Sequence, residues 1–116
     1  MGLPGRVEGQ PVEDLEEILA SHRVLRSLIA HRRSHPVPLS GTENADAMSL
    51  SMGPAAVHRR EMVEAGLLRV EEGYENKVPF VRSWLTPEGL QVADLVIAAS
   101  EAARRAREKR GRGDKA

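Results

Sequence analysis

The sequence predicts a small α+β domain in which a group of helices is followed by a β-hairpin and then by one more long helix. Three observations carry this prediction. Apolar residues recur at helical spacing near both residues 12–29 and residues 54–65. Two β-prone runs, at 67–72 and 78–85, flank a short stretch rich in turn residues. The run TPEG at 86–89 then opens a last helical pattern. With 116 residues the chain holds one domain with one modest core and is too short for two ordinary ones.

Residues 1–11 contain three glycines and two prolines with little apolar content, so they are predicted to lack fixed structure. From Val12 the pattern changes. Val12, Leu15, Ile18, Leu19, His22, Leu25, Leu28 and Ile29 repeat at three and four residues, which predicts one long amphipathic helix or two abutting ones. Glu13, Asp14, Glu16 and Glu17 crowd its start and Arg32 and Arg33 its end, complementing the helix dipole. Pro36 and Pro38 stop it and favour extended backbone, so Val37 to Leu39 read as a short edge strand. Ser40 or Thr42 caps the next short helix, through about Met48, with Ala45 and Met48 turned inward and Leu50 filling the turn after it.

The stretch LSMGPAAVHRREMVEAGLL (Leu50 to Leu68) has the densest set of agreeing signals. Pro54 suits a first helical position, Ser51 or Gly53 a cap before it, and Gly66 a stop. Between them Ala55, Ala56, Met62 and Val63 share one face, while His58, Arg59 and Arg60 sit mid-helix and point mostly elsewhere. After Gly66, Leu67 to Glu72 and Val78 to Leu85 form a predicted hairpin, with Gly73 and Asn76 supplying turn chemistry and Pro79 limiting one strand to an edge. Thr86 caps the last helix, with Pro87 at its first position and Leu90, Ala93, Val96, Ile97 and Ser100 as its apolar stripe. Beyond Ser100 there is little to bury. Residues 104–116 read as a basic tail that projects and frays through GRGDKA.

Formal charge is zero, from 17 basic and 17 acidic residues, so bulk electrostatics favours no nucleic-acid partner. The distribution says more: the start is acidic, and Arg104, Arg105, Arg107, Lys109, Arg110, Arg112 and Lys115 make the end basic. One Trp, one Tyr and one Phe leave the core almost wholly aliphatic. Cysteine is absent, which excludes disulfides and thiolate metal sites. No apolar run matches a membrane span and no signal-peptide core opens the chain, so the expected location is cytoplasmic, with no membrane partner. His31 and His35 have the i, i+4 spacing of a helix-borne metal pair, but Pro36 ends the helix there and no acidic ligand lies between them. Helix-end histidines favoured by the dipole are the better reading, and no metal or cofactor is expected. No nucleophile with a base, carboxylate pair or glycine-rich phosphate loop has a spacing that supports catalysis, so the chain reads as a non-enzyme.

In order and spacing, Val24 to Val96 resembles a winged helix-turn-helix domain of the MarR-like, PadR-like and ArsR-like regulators. EAGLL (Glu64 to Leu68) resembles the exit of the recognition helix, Gly73 to Lys77 the wing tip, and LTPEG (Leu85 to Gly89) the entry to the last helix. The resemblance implies a domain over 12–103 and a sequence-specific, double-stranded-DNA-binding transcriptional regulator with the helix at about 54–65 in the major groove. His58, Arg59 and Arg60 are then candidates for base or phosphate contact, Lys77 and Arg82 for wing contacts, and Ser51 for a phosphate-facing hydroxyl. The sequence departs from the pattern at Arg59, where these families carry a bulky aliphatic residue. Either the helix is rotated or the Arg stem runs past the core. Glu71, Glu72 and Glu75 also outnumber Lys77 at the wing, which supports the alternative of a winged-helix protein-interaction module that binds no DNA. The stripes at Val12 to Ile29 and Leu90 to Ser100 exceed what one small domain covers, so a homodimer through the first and last helices is expected.

Overall fold

The structure, a computed structural model, describes residues 21–115, with side chains described as far as residue 111. The elements follow in the order α1 (His22–Ser34), β1 (Leu39–Ser40), α2 (Gly41–Met48), α3 (Met52–Glu64), β2 (Leu68–Glu75), β3 (Val78–Leu85) and α4 (Pro87–Lys115). The three strands form one antiparallel sheet in the order β1-β3-β2. The α+β order is therefore the predicted one. The segment 1–11, the apolar residues Val12, Leu15, Ile18 and Leu19, and the acidic cluster from Glu13 to Glu17 lie outside the described residues.

Ser21 caps α1 by accepting a hydrogen bond from the Val24 amide at 3.2 Å, and His31, Arg32 and Arg33 occupy its last turn. Its inward face differs from the one hydropathy picks. Val24, Ser27, Leu28 and His31 are buried, Leu25 and Ile29 are half-buried, and His22 is exposed. The cause is a polar cluster in the core. The His31 Nδ1 lies 2.8 Å from the Ser27 carbonyl, which can only accept, so Nδ1 carries the proton. The bare Nε2 then accepts from the Ser83 hydroxyl of β3 at 2.7 Å, and the Ser27 hydroxyl donates to Asn44 Oδ1 of α2 at 2.6 Å. Burial pushes the His31 pKa down, partly offset by its bond to the Ser27 backbone. The expectation of a charged histidine at a helix end fails for this residue, because His31 is a neutral tie between α1 and β3. Among the described residues no three His, Cys, Asp or Glu side chains gather to hold a metal.

Ser40 begins α2 with a reciprocal capping box: its hydroxyl accepts from the Glu43 amide at 3.1 Å and the Glu43 carboxylate accepts from the Ser40 amide at 2.9 Å. That bond to the Ser40 backbone holds the Glu43 carboxyl below its usual range. Ala45 and Met48 turn inward as predicted and pack with Ala55 and the half-buried Leu50. Arg23 of α1 donates to the Met48 and Ser49 carbonyls, the latter at 3.1 Å, placing a cation at the negative end of α2.

The main core joins α1, α3, the sheet and α4 through Val24, Leu28, Met62, Leu67, Leu68, Leu85, Ala93 and Val96. Helix α3 ends on Gly66 at φ +80°, with the Gly66 amide bonded to the Val63 carbonyl at 3.0 Å and the Leu67 amide to the Met62 carbonyl at 2.9 Å. This paired closure needs a left-handed residue at that position, which glycine adopts without a Cβ clash. One residue later the chain enters β2.

The hairpin is longer than predicted. Strand β2 runs on to Glu75, and the turn is the pair Asn76 and Lys77, with φ of 51° and 67°. Positive φ at both positions gives a tight two-residue turn that matches strand twist. Gly73, expected in the turn, instead lies in β2 opposite Phe80, whose ring would sit 3.0 Å from any Cβ placed there. Pro79 also needs a correction, because β3 is the central strand and not an edge. β1 pairs only with Ser83 and Arg82, so beside Pro79 that flank of β3 has no neighbouring strand and the missing N–H is tolerated.

Thr86 opens α4 as predicted. Its hydroxyl accepts from the Gly89 amide at 2.9 Å and donates to the Gly66 carbonyl at 2.6 Å, while its amide bonds the Leu67 carbonyl at 3.0 Å. A Cβ on Gly89 would lie 2.1 Å from that same Leu67 oxygen. The exit of α3 and the start of α4 are thus clamped together. Ala93 and Val96 are buried, Leu90 and Ile97 half-buried, and Ser100 exposed. The helix does not fray after Ser100 but continues to Lys115, with residues 98–111 exposed. Ala, Arg, Glu and Lys dominate that stretch, and they are strong enough helix formers to extend it without burial. No described helix is long and apolar enough to cross a membrane.

Candidate nucleic-acid interface

Helix α3 begins two residues before Pro54, at Met52, with Ser51 as its N-cap. Pro54 is therefore the third helical residue. An N-cap hydroxyl normally accepts from the amide of the second or third residue, and a proline at the third has none to give. Ser51 makes no capping hydrogen bond, with the third-residue amide missing and the Gly53 amide unused, and is exposed, in contrast to Ser40 eleven positions earlier.

Ala55 and Met62 are buried, at 0% and 1% exposure, and fix which side of α3 faces inward. At about 100° per residue the directly opposed positions are Gly53, Val57, Arg60 and Glu64. All four are exposed. Arg60 forms no ion pair among the described residues. His58 and Arg59 lie on the two flanks and are half-buried. His58 faces α1, beside Ser21 and Val24, and sits 3.3 Å from the Glu61 carboxylate one turn on. Arg59 lies in an open groove between α3 and β2, with Ala56, Val63, Val70 and Glu72. Of the two explanations for an arginine at this position, the stem running past the core is the one that fits, since Ala55 and Met62 remain inward. The three consecutive residues of the HRR triplet thus point in three directions.

The wing is electrostatically closed. Arg82 donates to Glu75 at 2.7 Å and to Glu71 at 3.5 Å, and its guanidinium lies 4.3 Å from the centre of the Phe80 ring. These carboxylates, Glu75 first, raise the arginine's already high pKa. On the same outer face Arg69 stacks 4.8 Å from the Trp84 ring centre, an arrangement the sequence reading missed. Alternation along the paired strands puts residues 69, 71, 73 and 75 opposite 84, 82, 80 and 78, so a register-based reading of the two runs would have found it. Lys77 is exposed at the hairpin tip and has no carboxylate partner among the described ion pairs. Val57, the half-exposed apolar residue on the outward face of α3, was also missed. Its signal was its position opposite Ala55 and Met62.

No protein-family model matches this chain, and no curated protein matches it in sequence. Solved structures do. The Staphylococcus aureus transcription regulator MepR, in its complex with DNA, superposes with a TM-score of 0.68 over 95% of this chain and 88% of its own, at 11% identity. A MarR-family transcriptional regulator from Silicibacter pomeroyi gives 0.59 over 90% and 74%, at 19% identity. A transcriptional regulator homologue from Pyrococcus horikoshii gives 0.57 over 81% and 96%, at 20% identity. At these identities the likeness establishes the fold. It is a winged helix-turn-helix, as the sequence predicted.

Proposed function

We propose that the chain is a sequence-specific transcriptional regulator that binds double-stranded DNA as a homodimer, with α3 in the major groove. The observation that carries this reading is the outward face of α3, where Arg60 is exposed, without an ion-pair partner among the described residues, and held on a rigid helix opposite Ala55 and Met62. A free guanidinium in that place can donate two hydrogen bonds to guanine O6 and N7. Ser51, whose hydroxyl is not used in capping, contacts a backbone phosphate at the start of the same helix. Arg59 and Lys77 add phosphate contacts from the groove and the wing tip. His58 supports the helix from the α1 side and Arg82 stiffens the wing. The fold shared with a regulator solved on DNA supports the same reading.

In this reading the dimer forms through residues 12–29, of which 12–20 lie outside the described residues, and residues 90–100 of α4. Leu95 is 70% exposed on α4, and residues 98–111 continue as an exposed arm with nothing in this chain to pack against among the described residues. Two copies of α3 related by a two-fold axis would meet successive major grooves about 34 Å apart, which calls for a near-palindromic operator. Sedimentation at micromolar concentration should give twice the chain mass, and a clean monomer would remove both the interface and the palindrome. The reading as a whole is tested by titrating fluorescent duplex DNA, selected from a random pool by the protein, at rising salt. Affinity should fall steeply as phosphate contacts release counterions. A protein-interaction module would select no sequence and form no complex for salt to weaken.

A further inference from the structure

Around Arg60 the outward face of α3 is unevenly furnished. Gly53 presents no side chain, and a Cβ there would meet nothing within 4 Å. Glu64 is acidic. Val57 is 50% exposed, the large apolar side chain on the outward face between Gly53 and Arg60, while Met52 and Val63, also exposed, lie toward the flank of the helix and Ala55 and Met62 face the core. It contributes nothing to the core clusters of the domain. Val57 and Arg60 are three positions apart, so they lie about 4.5 Å apart along the axis and about 60° apart around it. Successive bases on one DNA strand are about 3.4 Å apart. Two side chains so placed match the spacing of neighbouring base pairs.

We propose that Val57 is a specificity-determining residue that packs on the C5-methyl group of a thymine adjacent to the guanine read by Arg60, so that each half-site contains a guanine–thymine neighbour pair. This rests on the proposed DNA-binding function. The chemistry is selective because the thymine methyl is the single apolar group on a base edge in the major groove, and an exposed valine gains most by covering it. The empty surface at Gly53 lets the backbone of α3 approach closely enough for so short a side chain to reach.

The test starts from duplexes enriched from random DNA by the full-length protein, with each thymine beside a guanine replaced in turn by deoxyuridine, which removes only the methyl. Each replacement should weaken wild-type binding about fourfold, the equivalent of about 0.8 kcal/mol for one buried methyl group at 1.4 kcal/mol per tenfold, so one per half-site should weaken binding of the dimer about fourteenfold. Val57→Ala should bind the thymine and deoxyuridine duplexes equally while keeping the wild-type melting temperature. If the enriched sequences lack the pair, or every deoxyuridine duplex binds like its parent, the assignment of Val57 is overturned while DNA binding stands. Enrichment of no sequence would overturn the DNA-binding function itself.

Discussion

Helix α3 and the wing carry similar numbers of arginines, yet they dispose of them in opposite ways. On α3, Arg60 is exposed and unpaired among the described residues. On the wing, Arg82 is held by Glu75 and Glu71 and lies over Phe80. The lesson is that a basic residue's availability to a phosphate or a base depends on its neighbours' carboxylates and not on the chain's net charge, which is zero. A winged domain can therefore keep one reading surface open while the adjacent one is internally neutralised. The two regions are held in one frame by the clamp of Gly66, Leu67, Thr86 and Gly89 and by the His31–Ser83 bond.

Breaking that frame should have the largest effect. Gly89→Ala forces a Cβ against the Leu67 carbonyl, with Leu85 also in contact, and such overpacking costs about 3 kcal/mol. Thermal denaturation should show the loss, and an unchanged melting temperature would mean that the clamp is not rigid. The second tie has a pH signature. Because His31 is buried neutral with a pKa below its ordinary 6.5, the unfolded chain takes up a proton first as pH falls. Its contribution to stability is complete above about pH 6.5 and is lost as pH drops from there through the lower folded-state value. Chemical denaturation from pH 7.5 to 5 should show this decline, and His31→Gln should flatten that part of the profile.

Next in size is the contrast itself. Arg60→Ala should cost about 1–3 kcal/mol of specific DNA affinity with little change in stability, whereas Arg59→Ala should lower stability as well, since its stem covers the α3–β2 groove. Equal and purely electrostatic losses from both would show that α3 does not read bases. Ser40→Ala should destabilise by about 1 kcal/mol through its lost cap, while Ser51→Ala should leave stability unchanged and weaken DNA binding. The smallest effect belongs to the wing. Glu75→Gln together with Glu71→Gln frees Arg82 of both carboxylates, so affinity should rise a few-fold and the slope of log affinity against log salt should steepen by about one. A wing that never approaches DNA would show neither change.

Several parts of this molecule were legible because local chemistry decides them. Ser40, Gly66 and Thr86 mark helix ends through bonds to backbone groups within a few residues, and the spacing of Ala45, Met48, Ala55 and Met62 marks inward faces. The winged arrangement came from the resemblance to known regulators that the order and spacing of those elements carry. Tertiary structure alone decided what depends on partners distant in sequence. His31 reads as a helix-end residue until Ser83, 52 positions away, closes on its Nε2 inside the core. Val24 displaced Leu25 from the inward face as α1 buried Ser27 and His31, a choice hydropathy penalises and the hydrogen bonds of those two residues to Asn44 and Ser83 offset. The directions of His58, Arg59 and Arg60 were likewise set by what stands beside α3, with α1 on one flank, β2 on the other and solvent between them. Periodicity locates a face, but only packing specifies what meets it.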